Sequence, residues 1–348
     1  MPKVDALFKT LMDRGGSDLH LEQGQRPKIR VNGKLTEIAE EPLLTFESMS
    51  GLLSELSGKD SWAHFEKNGD LDFAYAWETK ARFRANYYRQ FFGLGAVFRI
   101  IPSNIKSLDD LGMPAKLKDF AKIRAGLILV TGPTGSGKST TLAAIIDHIN
   151  ATQTKKIITI EEPVEFIHKS KQSIITHREV GEDTASFASG LKTAIKSDVD
   201  IILVGEMRDR ETIELALTAA EMGILVFGTL HTNSAAKTVD RIVDVFPLNQ
   251  KNRIRTVLAN TLRGIVAQQL VVSADKSKRY AAQEILLRTQ ALGAIIQSGE
   301  TVKLTSEIQL NRQNGMILMD DCLSALVQAG KITKEEAFLK ALDKSKFA

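Results

Sequence analysis

Residues 126–141 restrict this chain more than any other stretch. Leu127 to Val130 is a short apolar run bounded by glycines, the pattern of a strand buried in a parallel sheet. Gly132 to Ser139 follows and fits G-x-x-x-x-G-K-S/T. Leu142, Ile145, Ile146 and Ile149 then recur at helical spacing. Strand, glycine loop and helix in that order form a phosphate cradle. Gly135 and Gly137 let successive backbone N–H groups converge on phosphate oxygens without a Cβ in the way. The helix start adds the positive end of its dipole. In such a loop Lys138 reaches the β- and γ-phosphates and the Ser139 hydroxyl ligates Mg²⁺. The candidate nucleotide-binding residues are Gly132, Thr134, Gly135, Ser136, Gly137, Lys138, Ser139 and Thr140.

From residue 126 onward, strands alternate with helices, the sign of an α/β domain with a parallel-strand core. Strands are expected at 127–131, 156–161, 201–205 and 224–229. Helices are expected around Phe187 to Ile195 and over 211–222. The chain turns helical beyond Pro247, with a strand pair near 269–273 and 281–287. Ile201 to Val204 ends at Gly205-Glu206. A carboxylate at such a strand end holds Mg²⁺ or orients the attacking water, and Glu206 is the candidate for both. Ile157 to Ile160 runs into Glu161, Glu162 and Glu165, which suit Mg²⁺, water positioning or an ordinary solvated turn. Leu225 to Thr229 leads to His231. A histidine there either senses the γ-phosphate, contacts the neighbouring acidic loop, or is structural. The other five histidines, His168 and His177 among them, show no ligand spacing.

The first hundred residues have a different texture. Val4, Leu7, Phe8, Leu11 and Met12 predict an amphipathic helix stopped by Gly15-Gly16. Lys28 to Val31, Asn32-Gly33 and Leu35 to Ile38 read as a hairpin with a type I′ turn. Residues 47–66 look helical, and three alternating strands follow to Ile101. This is a small α+β domain on an antiparallel meander, spanning 1–101. Arg82 and Arg84 share one strand face, and Arg99 lies on the next strand. They are either a solvated face or arginine fingers for a γ-phosphate. Pro102, Ser103, Asn104, Gly112 and Pro114 predict a flexing linker over 102–117, before a second domain at 118–348.

Composition excludes several classes. A net charge of +4 over 348 residues makes no case for a nucleic-acid-coating surface. The single cysteine, Cys322, rules out an internal disulfide and a multi-cysteine zinc site. No apolar run reaches membrane-spanning length, and the N-terminus has no signal-peptide core. The expectation is a cytoplasmic chain without direct membrane insertion.

Together these stretches resemble the secretion-type hexameric ATPases, and most closely the type IV pilus retraction ATPases (PilT family). The resemblance covers essentially the whole chain. Gly16 to Leu21 and Arg30 to Leu35 look like that family's N-terminal domain, and Arg82 to Arg84 and Val97 to Arg99 like its arginine stretches. Gly132 to Thr140 matches its Walker A loop, and Thr159 to Glu165 its acidic box. Ile202 to Asp209 matches Walker B with the catalytic Glu206, and Gly228 to Ser234 its His box. The resemblance implies a PAS-like N-terminal domain, a RecA-like P-loop ATPase domain and a homo-hexamer. ATP with Mg²⁺ would sit between the two domains of one subunit. His231 would link nucleotide state to domain position. The implied function is Mg²⁺-dependent ATP hydrolysis that powers pilus retraction and twitching motility. The implied place is peripheral to the inner membrane at the pilus base, on a membrane platform protein.

Assembly and type II secretion ATPases of this superfamily usually carry a four-cysteine zinc subdomain and a longer N-terminal part. One cysteine, and a start close to the first helix, point to the retraction branch. The family's Ala-Ile-Arg-Asn-Leu-Ile-Arg-Glu segment appears here as Ala291 to Ser298, without its basic residues. The alternative readings are therefore a divergent paralogue acting as an accessory or regulatory pilus ATPase, and a nucleic-acid translocase. The last lacks a stacking platform interleaved with basic residues.

Overall fold

The computed structural model describes residues 4–31, 33–78, 81–101 and 105–348. Asn32 of the expected turn and residues 102–104 of the expected linker lie outside them. The chain divides into two compact units, Met1–Asn104 and Ile105–Ala348.

The first unit runs α1 (Val4–Asp13), β1 (Asp18–Glu22), β2 (Lys28–Val31), β3 (Lys34–Glu37), α2 (Phe46–Asn68), β4 (Asp70–Trp77), β5 (Ala81–Gln90) and β6 (Gly93–Ile101). Its six strands form one antiparallel sheet in the order β3-β2-β1-β6-β5-β4. Strand alternation sorts β5 cleanly. Phe83, Ala85 and Tyr87 are buried, while Arg84 on the opposite face is exposed. Phe8 of α1 stacks on Phe83 with ring centroids 3.9 Å apart and meets Phe98 edge-on at 5.2 Å. Offset and edge contacts of this kind hold the helix on one face of the sheet. Thr45 caps α2 by accepting from the Ser48 N–H.

The second unit opens with a 3₁₀ segment, Ala115–Lys122. It continues β7 (Gly126–Thr131), α3 (Lys138–Thr152), β8 (Lys156–Glu161), β9 (Ile174–Glu179), α4 (Phe187–Ala194), β10 (Ile201–Val204), α5 (Arg210–Glu221), β11 (Leu225–Leu230), α6 (Ala235–Asp244) and α7 (Leu248–Thr261). β12 (Leu262–Val272), β13 (Arg279–Leu287), α8 (Gln290–Ser298), α9 (Lys303–Leu310), α10 (Met319–Gln328) and α11 (Lys334–Lys340) complete it. Its sheet has the order β13-β12-β7-β11-β10-β8-β9. All pairs are parallel except β12–β13. This is a RecA-like α/β fold, with one strand, β11, between the phosphate-loop strand β7 and the acidic strand β10.

Both faces of this sheet are covered, which is why its strands read as continuous apolar runs. Leu127, Leu129, Ile202 and Val204 pack on one side with Ile213, Ala216 and Leu217 of α5. Ile128, Val130, Ile201 and Leu203 pack on the other with Leu142, Ile145, Ile146 and Ile149 of α3. Leu108, Leu117 and Phe120 are buried in this second cluster. The stretch expected to flex as far as residue 117 is therefore anchored to the second unit from Leu108 onward, because its spaced apolar residues find the sheet.

Two strands depart from expectation. β9 was not expected, because Ile174–Glu179 is mostly polar and lies at the sheet edge, where half its side chains need no core. β12 begins seven residues earlier than the expected 269, directly after α7. Gly264 and the paired glutamines Gln268-Gln269 hide the strand pattern there. Gly264 packs closely, since a Cβ there would lie 3.0 Å from the Phe120 ring and the ring would have to give by a few tenths of an ångström.

Candidate active site

The loop after β7 has the geometry its glycines allow. Gly132, Gly135 and Gly137 all take positive φ, at 145°, 77° and 85°. A Cβ on Gly132 would lie 2.2 Å from the Gln268 carbonyl, whereas one on Gly135 would project into open space within the cradle. Gly137 is the N-cap of α3, so the helix begins at Lys138 with its first N–H groups facing the loop. Lys138 is buried, and its Nζ donates to the carbonyls of Gly132 at 2.8 Å and Pro133 at 3.1 Å. Burial pulls the Lys138 ammonium below its ordinary range, and the Glu206 and Glu165 carboxylates oppose that pull. Ser136 Oγ is buried without a hydrogen-bond partner. A buried orphan hydroxyl beside a glycine cradle and a buried ammonium fits a phosphate ligand. Thr134 and Gly135 are exposed, and Ser139 and Thr140 are half-buried.

Glu206 follows β10 and is clamped by its neighbours. Gly205 N–H donates to the Ile160 carbonyl, Met207 N–H donates to the Thr229 carbonyl, and the Thr229 hydroxyl donates to the Gly205 carbonyl. The carboxylate is met twice on one oxygen. Arg208 Nε lies 2.6 Å and His231 Nε2 2.9 Å from Glu206 Oε1. Burial raises the Glu206 carboxyl, but the Arg208 and His231 contacts outweigh it and the net shift is downward. An ionised, weakly basic carboxylate suits orienting a water more than removing its proton outright. Asp209, three residues after Glu206, caps α5 by accepting from the Thr212 N–H and hydroxyl.

The acidic stretch divides by environment. Glu161, the last residue of β8, is buried, while Glu162 and Glu165 are exposed. Burial pushes the Glu161 carboxyl up to about 7, with the Glu165 and Glu179 charges adding to the rise against hydrogen bonds from Thr159 and the Glu165 N–H. Glu162 Oε2 lies 3.9 Å from Arg208 Nη1. Thus Arg208 spans the two acidic segments.

The structure brings Lys138, Glu206, His231, Glu161, Glu162 and Glu165 to the carboxyl-end edge of one sheet. Arg82, Arg84 and Arg99 belong to the first unit and form their own cluster. Arg84 pairs in register with Arg99 across β5–β6. Arg99 Nε lies 2.6 Å from Asp18 Oδ1. Asp18 is buried, which raises its carboxyl, but hydrogen bonds from Ser17 and Arg99 bring it below its ordinary range.

Sequence reasoning missed three contributors. Arg208 was passed over, although its place two residues after Glu206 could have marked it. Gln268 is buried beside the loop. Its Nε2 donates to the Ser136 carbonyl at 2.7 Å, and its Oε1 accepts from Thr141 at 2.9 Å and Gln283 at 2.8 Å. An amide pair inside an apolar strand was the available signal. His177, which gave no ligand spacing, lies 4.0 Å from Glu161 and pairs in register with Thr159. Among the described residues, no group of three or more His, Cys, Asp or Glu is arranged to hold a metal alone. Ser139 and Glu206 carry hard oxygen donors of the kind Mg²⁺ takes, and these residues would hold it.

The fold and this edge define a P-loop ATPase of the RecA-like class. The chain belongs to the type II/IV secretion system protein family, whose profile matches residues 1–331. It is 46% identical over 328 residues to the type IV pilus retraction ATPase PilT of Pseudomonas aeruginosa, covering 94% of this chain and 95% of that one. The type IV pilus ATPase PilU of the same organism is 37% identical over 342 residues, with 97% and 88% covered. A crystal structure of the pilus retraction motor PilT with bound ADP superimposes with a TM-score of 0.93, at 42% identity, covering 99% of this chain and 98% of that one. Among the described residues, no helix is long and apolar enough to cross a membrane.

Proposed function

We propose that this chain hydrolyses ATP as a homo-hexamer to power type IV pilus retraction, and hence twitching motility. It would do so in the cytoplasm at the pilus base, against an inner-membrane platform protein. The observation that carries this reading is the convergence of Lys138 and the Arg208–Glu206–His231 cluster on one sheet edge. Near-full-length similarity to PilT supports it. In this reading the Walker A amides and Lys138 bind the phosphates, and Ser139 and Glu206 hold the metal. Mg²⁺, when bound, neutralises charge developing on the phosphoryl oxygens. Glu206 orients water, Glu161, Glu162 and Glu165 shape the acidic wall, and His231 couples Glu206 to the end of β11. Arg82, Arg84 and Arg99 supply transition-state charge as fingers.

The test is complementation of a retraction-deficient strain. Restored twitching by the chain, and none by its Glu206→Gln variant, supports the reading. A second reading, an accessory pilus ATPase, is favoured by α8, which carries no basic residue from Gln290 to Ser298. The similarity to PilU agrees with it. Restoration only when the native retraction ATPase is also present would favour that second reading.

A further inference from the structure

We propose that Gln268 is a positioning residue for nucleotide binding, latching the Ser136–Gly137 peptide so that its N–H faces the phosphates. The inference rests on the reading that this loop binds ATP. β12 runs parallel to β7, and its Ala267 pairs with Thr131, the last residue before the loop. Gln268, one step further along β12, lies beside the loop's start. Its backbone carbonyl is what a Cβ on Gly132 would strike, at 2.2 Å. Its side chain reaches the loop's end, where Nε2 would lie 2.9 Å from a Cβ on Gly137. One residue of a neighbouring strand thus abuts both ends of the phosphate loop.

The orientation of the Gln268 amide follows from its partners. Nε2 lies 2.7 Å from the Ser136 carbonyl. A carbonyl only accepts, so the amide nitrogen and not its oxygen faces the loop. The oxygen then faces Thr141 Oγ1 at 2.9 Å and Gln283 Nε2 at 2.8 Å, and both donate to it. Gln283 stands opposite Gln268 across β12–β13. All three side chains are buried, so water does not replace these bonds. Turning the Gln268 amide over would set its oxygen against the Ser136 carbonyl, two buried acceptors without a donor. The amide is therefore fixed, and it fixes the peptide it holds. A trans peptide is planar, with its C=O and its N–H on opposite sides. The Ser136–Gly137 bond is trans. Holding the Ser136 carbonyl toward β12 hence turns the Gly137 N–H away from β12. As the N-cap of α3, Gly137 carries an N–H with no partner inside the helix. The latch aims that donor at the anion site formed by the helix start and Lys138.

The experiment measures the ADP dissociation constant and steady-state ATPase kinetics on the full-length protein. Gln268→Met keeps an unbranched side chain but removes both polar atoms of the amide. It is expected to raise the ADP dissociation constant and KM for ATP by about 10-fold, with kcat within about threefold of the parent. A contact made equally to bound and reacting phosphate moves KM rather than kcat. A role in packing alone would instead lower the active fraction, and with it kcat, and leave the dissociation constant at the parent value. Thr141→Val keeps its shape but removes one of the two donors that fix the amide. It is expected to raise the ADP dissociation constant by about threefold. Should Gln268→Met fail to fold, Thr141→Val decides alone. An ADP dissociation constant at the parent value in folded Gln268→Met, or in Thr141→Val, overturns the proposal. Lys138→Ala separates the latch from the reading beneath it. If it abolishes ADP binding while the other variants bind as the parent does, the latch falls and the phosphate-loop reading stands. If Lys138→Ala also binds ADP as the parent does, both fall.

Discussion

The two sheets of this protein use opposite strategies. The first unit packs one face of an antiparallel sheet under α1 and carries Arg84 and Arg99, both exposed, side by side on the other. The second unit buries both faces of a mostly parallel sheet, so that Ile128 and Leu129, adjacent in sequence, enter different cores. A sheet with an open face can carry charge along its length. A sheet with none must put its polar chemistry at strand ends, and Lys138, Glu206, His231 and Glu161 all lie there. The same logic predicts where a substitution costs stability and where it costs rate.

The largest separation is expected at Arg84. Arg84→Ala should lower kcat by on the order of 10³-fold if it acts as a finger, with the melting temperature nearly unchanged because the side chain is exposed. Unchanged kcat would remove it from the finger set. Ile128→Ala is the reciprocal case. It should cost about 2–5 kcal/mol in denaturant unfolding, because Ile128 is fully buried in the second unit.

Glu161 tests the boundary between core and edge through pH. Its folded value, raised to about 7, lies above the ordinary 4.5. The native state therefore holds the proton more tightly than the unfolded chain. The contribution is fully present below about 4.5 and is lost as pH rises through about 7. Relative to the parent, Glu161→Gln should remove a fall in stability of roughly 3 kcal/mol across that window. Parallel stability curves for the two proteins would contradict the burial argument. The smallest effect is expected at Tyr87, whose hydroxyl donates to the Leu53 carbonyl at 3.3 Å inside the first unit. Tyr87→Phe should cost about 1 kcal/mol in unfolding and leave kcat unchanged.

Much of this was readable from the residues. β7, β8, β10 and β11 are apolar runs, the first three ended by glycine or acid, and doubly buried strands leave that trace. Lys138 and Glu206 follow because the strand ends they mark share one edge. β9 left no such trace, since an edge strand needs few apolar residues. The pairing of Thr159 with His177 was hidden too, because strand register is set by tertiary packing and the two lie 18 positions apart. Gln268 was hidden for a related reason: its amide is satisfied by Ser136, Thr141 and Gln283, all distant in sequence. The linker was read too long, because the apolar residues Leu108 and Leu117 are spaced too widely to mark an element of their own.

The most direct test concerns Glu206, held by Arg208 and His231 on a single oxygen. ATP affinity and turnover should be measured on the parent and on Glu206→Gln. The account predicts an ATP dissociation constant within about threefold of the parent and a kcat lower by on the order of 100-fold or more. Turnover that survives the substitution at the parent rate would contradict it.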